Sequence, residues 1–119
     1  MNRILLTGNL VKDIKLEKSK NNHPFVKNVI AVKDNWNTDF EKTYFINIEC
    51  YNKETLKEFK SFKKGNLVEI EGKLVVESWK DKNGNWQTYT KVVVYAIRAI
   101  EFKKKDKEEV ADELDWDSL

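Results

Sequence analysis

Five aromatic side chains stand where a chain of strands has little use for them in its core. In Lys42–Tyr51 the residues Ile46, Ile48 and Cys50 alternate with Phe45, Asn47, Glu49 and Tyr51. Side chains alternate between the two faces of a strand, so Phe45 and Tyr51 share the polar face. In Leu67–Trp79, Leu74 and Val76 mark the expected inner face, which sends Lys73, Val75, Glu77 and Trp79 outward. Trp36 lies in the polar run KDNWNTDFEK, and Trp86 follows the turn-like run KDKNGN. Flat rings on a wet surface suit stacking against bases, at about 1–3 kcal/mol per base and with little regard to sequence. Arg3, Lys33, Lys53, Lys73, Lys80, Lys82 and Lys91 accompany these rings and would track phosphates, adding affinity that falls with salt. The alternative is that the rings pack under a loop or against a second subunit.

Other chemistry is thinly represented. His23, the single histidine, precedes Pro24 in a turn-like stretch and reads as a solvated loop residue rather than a general base. Cys50, the single cysteine, lies on the apolar face and has no companions at metal-ligand spacing. Glu69 and Glu71 alternate with apolar residues and read as a solvated face. There is no phosphate-gripping glycine loop and no Ser/His/Asp constellation, so no catalytic residue, metal or cofactor is expected. No recognition helix of the kind that enters a duplex groove is evident, which favours unpaired strands over duplex.

The elements that must position these rings are mainly strands. Asn2–Gly8 is a short apolar strand ended by Gly8-Asn9, Phe25–Val32 a second, and Lys42–Tyr51 a third. Leu67–Trp79 is a fourth, with a bulge or bend expected at Gly72, and Trp86–Phe102 a fifth. The pair Asn83-Gly84 signals a hairpin between the last two. Asn52–Lys64 breaks the pattern. It has an N-cap candidate in Asn52, apolar residues at Leu56, Phe59 and Phe62, and Gly65 as a C′ residue. Three strands, a helix and two strands predict an all-β OB-fold, a five-stranded Greek-key β-barrel with one helix between strands 3 and 4.

Charge divides the chain in two. Residues 1–105 hold 21 Lys+Arg against 13 Asp+Glu, a net of +8, whereas residues 106–119 hold one lysine against seven acids, a net of −6. The expected organisation is a binding domain over 1–105 and a flexible, disordered acidic tail over 106–119. Asp112, Glu113, Asp115, Trp116, Asp117 and Leu119 are its candidates for contact with a partner protein, or it acts as a brake on polyanion binding. The start MNRILLTGNLVKD lacks an extended apolar stretch and does not read as a signal peptide; a cytoplasmic protein with no membrane segment is expected.

Several stretches together resemble the bacterial and phage single-stranded DNA-binding protein (SSB) family: MNRILLTGNLVKD, KNVIAVKDNW, TYFINIECYNKETLKEF, KKGNLVEIEGKLVVESW and YTKVVVYAIRAIEF, over residues 1–102. The resemblance implies an OB-fold, a homotetramer in which the first strand helps pair subunits, and sequence-tolerant binding of single-stranded DNA during replication, recombination and repair. It implies stacking roles for Trp36, Phe45, Tyr51 and Trp79, whereas Trp86 rests on its loop setting alone. It also implies replication and repair proteins as partners of the tail. The chain departs from the family pattern in having Asp13-Ile14 where Asp-Pro is frequent. It also departs in ending on Asp-Trp-Asp-Ser-Leu after a short connector, where many bacterial members end on Ile-Pro-Phe after a long one. This pattern resembles a phage or mobile-element version. An adaptor with weak nucleic-acid binding and an RNA-binding module are the competing readings.

Overall fold

The computed structural model describes residues 1–34 and 41–100. Its elements are β1 (Ile4–Leu10), β2 (Glu17–Lys18), β3 (Pro24–Asp34), β4 (Lys42–Cys50), α1 (Lys53–Phe59), β5 (Leu67–Lys80) and β6 (Trp86–Ala99). The sheet runs β1-β5-β6-β4-β3-β2, and β1 also pairs with β3, which closes five strands into a barrel. All pairings are antiparallel except the short β4–β6 contact at Ile48↔Val92 and Glu49↔Val93. A five-stranded closed barrel with one helix between its third and fourth strands is the expected OB-fold. The added β2, two residues pairing with Pro24 and Phe25, lies at the start of the turn-like stretch that precedes the second expected strand.

The core follows from alternation. Val26, Ile30, Ile48, Cys50, Val68, Ile70, Val92 and Val94 point inward and are fully buried. Burial pushes the Cys50 thiol up to about 12, consistent with an inert core residue. Asn28 is the polar exception on that inner face. It is buried but satisfied: its Oδ1 accepts from the N–H of Lys12 at 3.0 Å and its Nδ2 donates to the Lys12 carbonyl at 3.0 Å.

Closure depends on two places where backbones nearly touch. Gly8-Asn9 does not end the first strand, which runs on to Leu10. There β1 leaves β5 and pairs with β3 through Asn9↔Ala31 and Leu10↔Ile30. A Cβ on Gly8 would lie 2.2 Å from the Ala31 carbonyl oxygen, so only glycine permits the crossing. The irregularity expected at Gly72 is present, but the extra residue is on the partner strand. Glu71 pairs with Ala96 and Gly72 with Val94, leaving Tyr95 as the bulge.

The helix is shorter than the pattern predicts. Asn52 caps it as expected, its Oδ1 accepting from the Thr55 N–H at 3.1 Å, but the α-helix ends at Phe59. Beyond it the N–H groups of Ser61 and Phe62 donate to the carbonyls three residues back. These tighter turns bring Phe62 back against the core. Gly65 does adopt a left-handed conformation, φ 91°, but it closes the following turn rather than capping the helix. Thr55 ties the helix to the barrel by donating its hydroxyl to the carbonyl of the bulge residue Tyr95 at 2.6 Å. Replacing Asn52 by alanine removes the cap and is expected to cost about 1 kcal/mol, read from the urea midpoint; no shift would mean that tertiary packing alone sets this terminus.

The β5–β6 ribbon continues as a hairpin to the turn at 81–85, and every β5 residue from Val76 to Lys80 is exposed. Leu74 and Val76, expected on the inner face, share the inward parity of Val68 and Ile70 but are exposed, although Leu74 lies opposite the buried Val92. At the ribbon's tip Asn83 does not take a left-handed conformation, and only Gly84 does, φ 84°. Asp81 organises this turn. Its carboxylate accepts from the N–H groups of Asn85 and Asn83, both at 2.9 Å, and from Gln87 Nε2 at 3.0 Å. The Asn85 N–H leads in holding the carboxyl below its ordinary range.

Candidate nucleic-acid interface

The outer face of β3, β4, β5 and β6 carries half of the rings and cations singled out for binding. Phe45 is two-thirds exposed on β4, opposite Ala31, and Tyr51 lies just past the end of β4. Trp79 is on the same outer face of β5, opposite Gln87. Trp86 is not. It pairs with Lys80, one position on, so it points to the opposite side of the ribbon, where the Lys80 ammonium lies 5.4 Å from its ring centre. Trp36 and the tail residues Asp112, Glu113, Asp115, Trp116, Asp117 and Leu119 lie outside the described residues.

The cations divide similarly. Lys33 is exposed at the end of β3, opposite Thr43, Lys73 is half-buried on the outer face of β5, and Lys82 is exposed at the hairpin tip. Lys53 is exposed in the first turn of the helix, outside the face that carries the rings. Arg3 is engaged by Glu71 at 2.7 Å. Arg98 extends that pair into a ladder through Glu69 at 3.2 Å and Glu71 at 3.3 Å. Lys91 departs furthest from the expectation of a phosphate contact. It is buried, and its Nζ lies 2.8 Å from Glu49 and 3.1 Å from Glu77.

Glu49 is the centre of a cluster that the alternation of β4 alone does not reveal. Its carboxylate accepts from the hydroxyl of Tyr51, from the Tyr89 hydroxyl at 3.4 Å and from Lys91. Burial by itself would raise the carboxyl's pKa, but the hydrogen bonds from Lys91 and Tyr51 and the Lys91 charge outweigh it and hold the group below 4.5. Burial and the Glu49 partner together push the Tyr51 hydroxyl up to about 12. The Lys91 ammonium lies 5.9 Å from the centres of both the Tyr51 and Tyr89 rings, and the Lys27 ammonium lies 6.0 Å from Tyr89. Phe25 stacks on Tyr51 at 5.7 Å and 30°.

These side chains, with Ser19 and Glu77, line an open groove of about 540 Å³. Two lysines balance two glutamates in it, so its walls are aromatic while its charge is near zero. Phe25, Lys27 and Tyr89 are additions to the expected site. The parity of Phe25 and Lys27 against buried Val26 and Ile30 carries a signal for their outward direction. Tyr89 becomes a neighbour of Glu49 only once β4 is known to lie beside β6. Among the described residues no group of three or more His, Cys, Asp and Glu is arranged to hold a metal ion, and no helix is long and apolar enough to cross a membrane.

Comparison with known proteins agrees with this geometry. A single-stranded DNA-binding protein of Deinococcus radiodurans is 29% identical over 104 residues, which cover 84% of this chain and 34% of the relative. One from Wolinella succinogenes is 26% identical, covering 86% and 65%, and one from Caldanaerobacter subterraneus is 30% identical, covering 87% and 70%. The chain thus spans about a third to two thirds of the length of most of these relatives. Among solved structures, a Plasmodium falciparum SSB in complex with ssDNA superposes with a TM-score of 0.71 at 17% identity, covering 85% of this chain and 96% of that one. A mitochondrial single-stranded DNA binding protein from S. cerevisiae gives 0.69 at 18%, covering 83% and 94%. Residues 1–100 match the single-strand binding protein family, and the chain belongs to that family.

Proposed function

We propose that this protein binds single-stranded DNA without strong sequence preference, protecting it during replication, recombination and repair. One observation carries the reading: exposed rings on the outer face of a closed barrel, Phe45, Tyr51 and Trp79, interleave with cations in a chain of this family. Bases stack on the rings, and Lys33, Lys73 and Lys82 follow the backbone from the rim. A duplex, whose bases already stack on one another, has nothing to offer such a platform. Trp36 belongs to the same path in this reading. Trp86 on the far side of the ribbon meets a strand that wraps the hairpin. Relatives named for binding single-stranded DNA support the reading.

The acidic tail serves as a handle for replication and repair proteins, with Trp116 and Leu119 as its apolar contacts. The assembly is a homotetramer in the cytoplasm; the family supports this part of the proposal.

Calorimetric titration with dT oligonucleotides and with a duplex of equal length tests the central claim. Tight binding of the single strand and weak binding of the duplex are expected; equal affinity at moderate salt would refute it. Phe45→Ala and Trp79→Ala are each expected to weaken dT binding about fivefold to a hundredfold, the loss of one base–aromatic stack. Wild-type affinity in both would remove these rings from the path.

A further inference from the structure

Glu49 poses a problem for a surface built to hold a polyanion. A carboxylate sits at the centre of the aromatic groove, and on charge alone it should repel the strand. Yet it is almost wholly buried, and every contact it makes is to a group that shapes the groove: the hydroxyls of Tyr51 and Tyr89 and the ammonium of Lys91. Those three come from β6 and the end of β4, two strands that share only a short parallel pairing. Phe25 holds the Tyr51 ring from one side, but only the shared acceptor ties the Tyr51 and Tyr89 hydroxyls to one point. The Lys91 ammonium is equally near both ring centres and is also held by Glu77.

We propose that Glu49 is a positioning residue for strand binding, and that Lys91 is its fastener rather than a phosphate contact. The carboxylate fixes the two tyrosine rings in the orientation that a base meets. It acts through them and does not touch the strand. Lys91 spends its charge on Glu49 and Glu77, so the groove offers a base an aromatic wall of near-zero net charge. This inference rests on the reading that the outer face binds single-stranded DNA.

The two views of Glu49 predict opposite signs for the near-isosteric Glu49→Gln. If only charge mattered, removing a negative group would release Lys91, tighten dT binding and steepen its dependence on salt. If Glu49 positions the rings, dT binding weakens about tenfold, within what one stack contributes, and the salt slope stays as in the wild type. Calorimetric titration of a short dT oligonucleotide over a salt series reads both quantities. Tyr51→Phe keeps the ring and loses the hydroxyl. It should weaken binding several-fold with an unchanged slope, and it guards against a Glu49→Gln protein that fails to fold. Tighter binding with a steeper slope in Glu49→Gln, or wild-type affinity in Tyr51→Phe, overturns the proposal. A wild-type protein that binds no dT strand would instead overturn the function on which it rests.

Discussion

Lys91→Met lowers the unfolding free energy by about 3 kcal/mol at neutral pH, and the deficit shrinks as the solution is made acidic. The first half follows from burial. Lys91 and Glu49 have side chains only 8% and 4% exposed, and removing one partner of such a pair strands the other charge away from water. The second half follows from linkage. In the wild type Glu49 has a folded pKa below its ordinary value of 4.5, so its contribution is present above that pH and is lost as pH falls through the depressed folded value. Without Lys91, burial dominates and the folded pKa rises above the unfolded one. The carboxyl then favours folding below its unfolded pKa, and that advantage disappears as pH rises through the raised folded value. Urea denaturation of both proteins between about pH 4 and pH 8 gives the comparison; a deficit independent of pH would show that Glu49 does not carry it.

Gly8→Val is expected to cost about 3 kcal/mol or to prevent folding, at the upper end of what overpacking does. The added Cβ meets the Ala31 carbonyl oxygen, part of the backbone, so no side-chain rotation relieves the clash. Gly72→Val meets the Val93 carbonyl oxygen in the same way at 2.1 Å, and the two should behave alike. The pair separates two causes. Neither glycine has a positive φ, so the cost is steric closure of the barrel and not lost backbone freedom. Urea midpoints within 0.5 M of the wild type, at about 1–3 kcal/mol per M, would show that the strands can separate at little cost.

Alternation was enough to read the direction of Phe45, Tyr51 and Trp79, because each shares a strand with well-marked apolar neighbours. Asn52 was legible for a similar reason, since a cap is a local hydrogen bond. Leu74 and Val76 show the limit of the method. Period two says which side a residue faces, but not whether another side chain covers it there. Tyr95 shows another, since one extra residue in β6 reverses the parity of every position before it relative to those after. The Glu49–Lys91 pair joins residues 42 apart through β4–β6 neighbourhood, and nothing local to either residue announces it. Lys91 counts among the candidate phosphate contacts in the sequence because it accompanies the exposed rings. Its tip here is enclosed by two acids and two rings.

The groove's composition has an optical consequence. Among the described residues its rings belong to Phe25, Tyr51 and Tyr89, and none of these is an indole, whereas the hairpin carries Trp79 and Trp86 on opposite sides. A strand lying only in the groove would make no direct contact with either hairpin indole. One reaching Trp79 would quench it, and Trp86 would respond only if the strand passed around the ribbon. Intrinsic emission from single-tryptophan variants can therefore trace the route of the strand over the protein, with the groove as its dark segment.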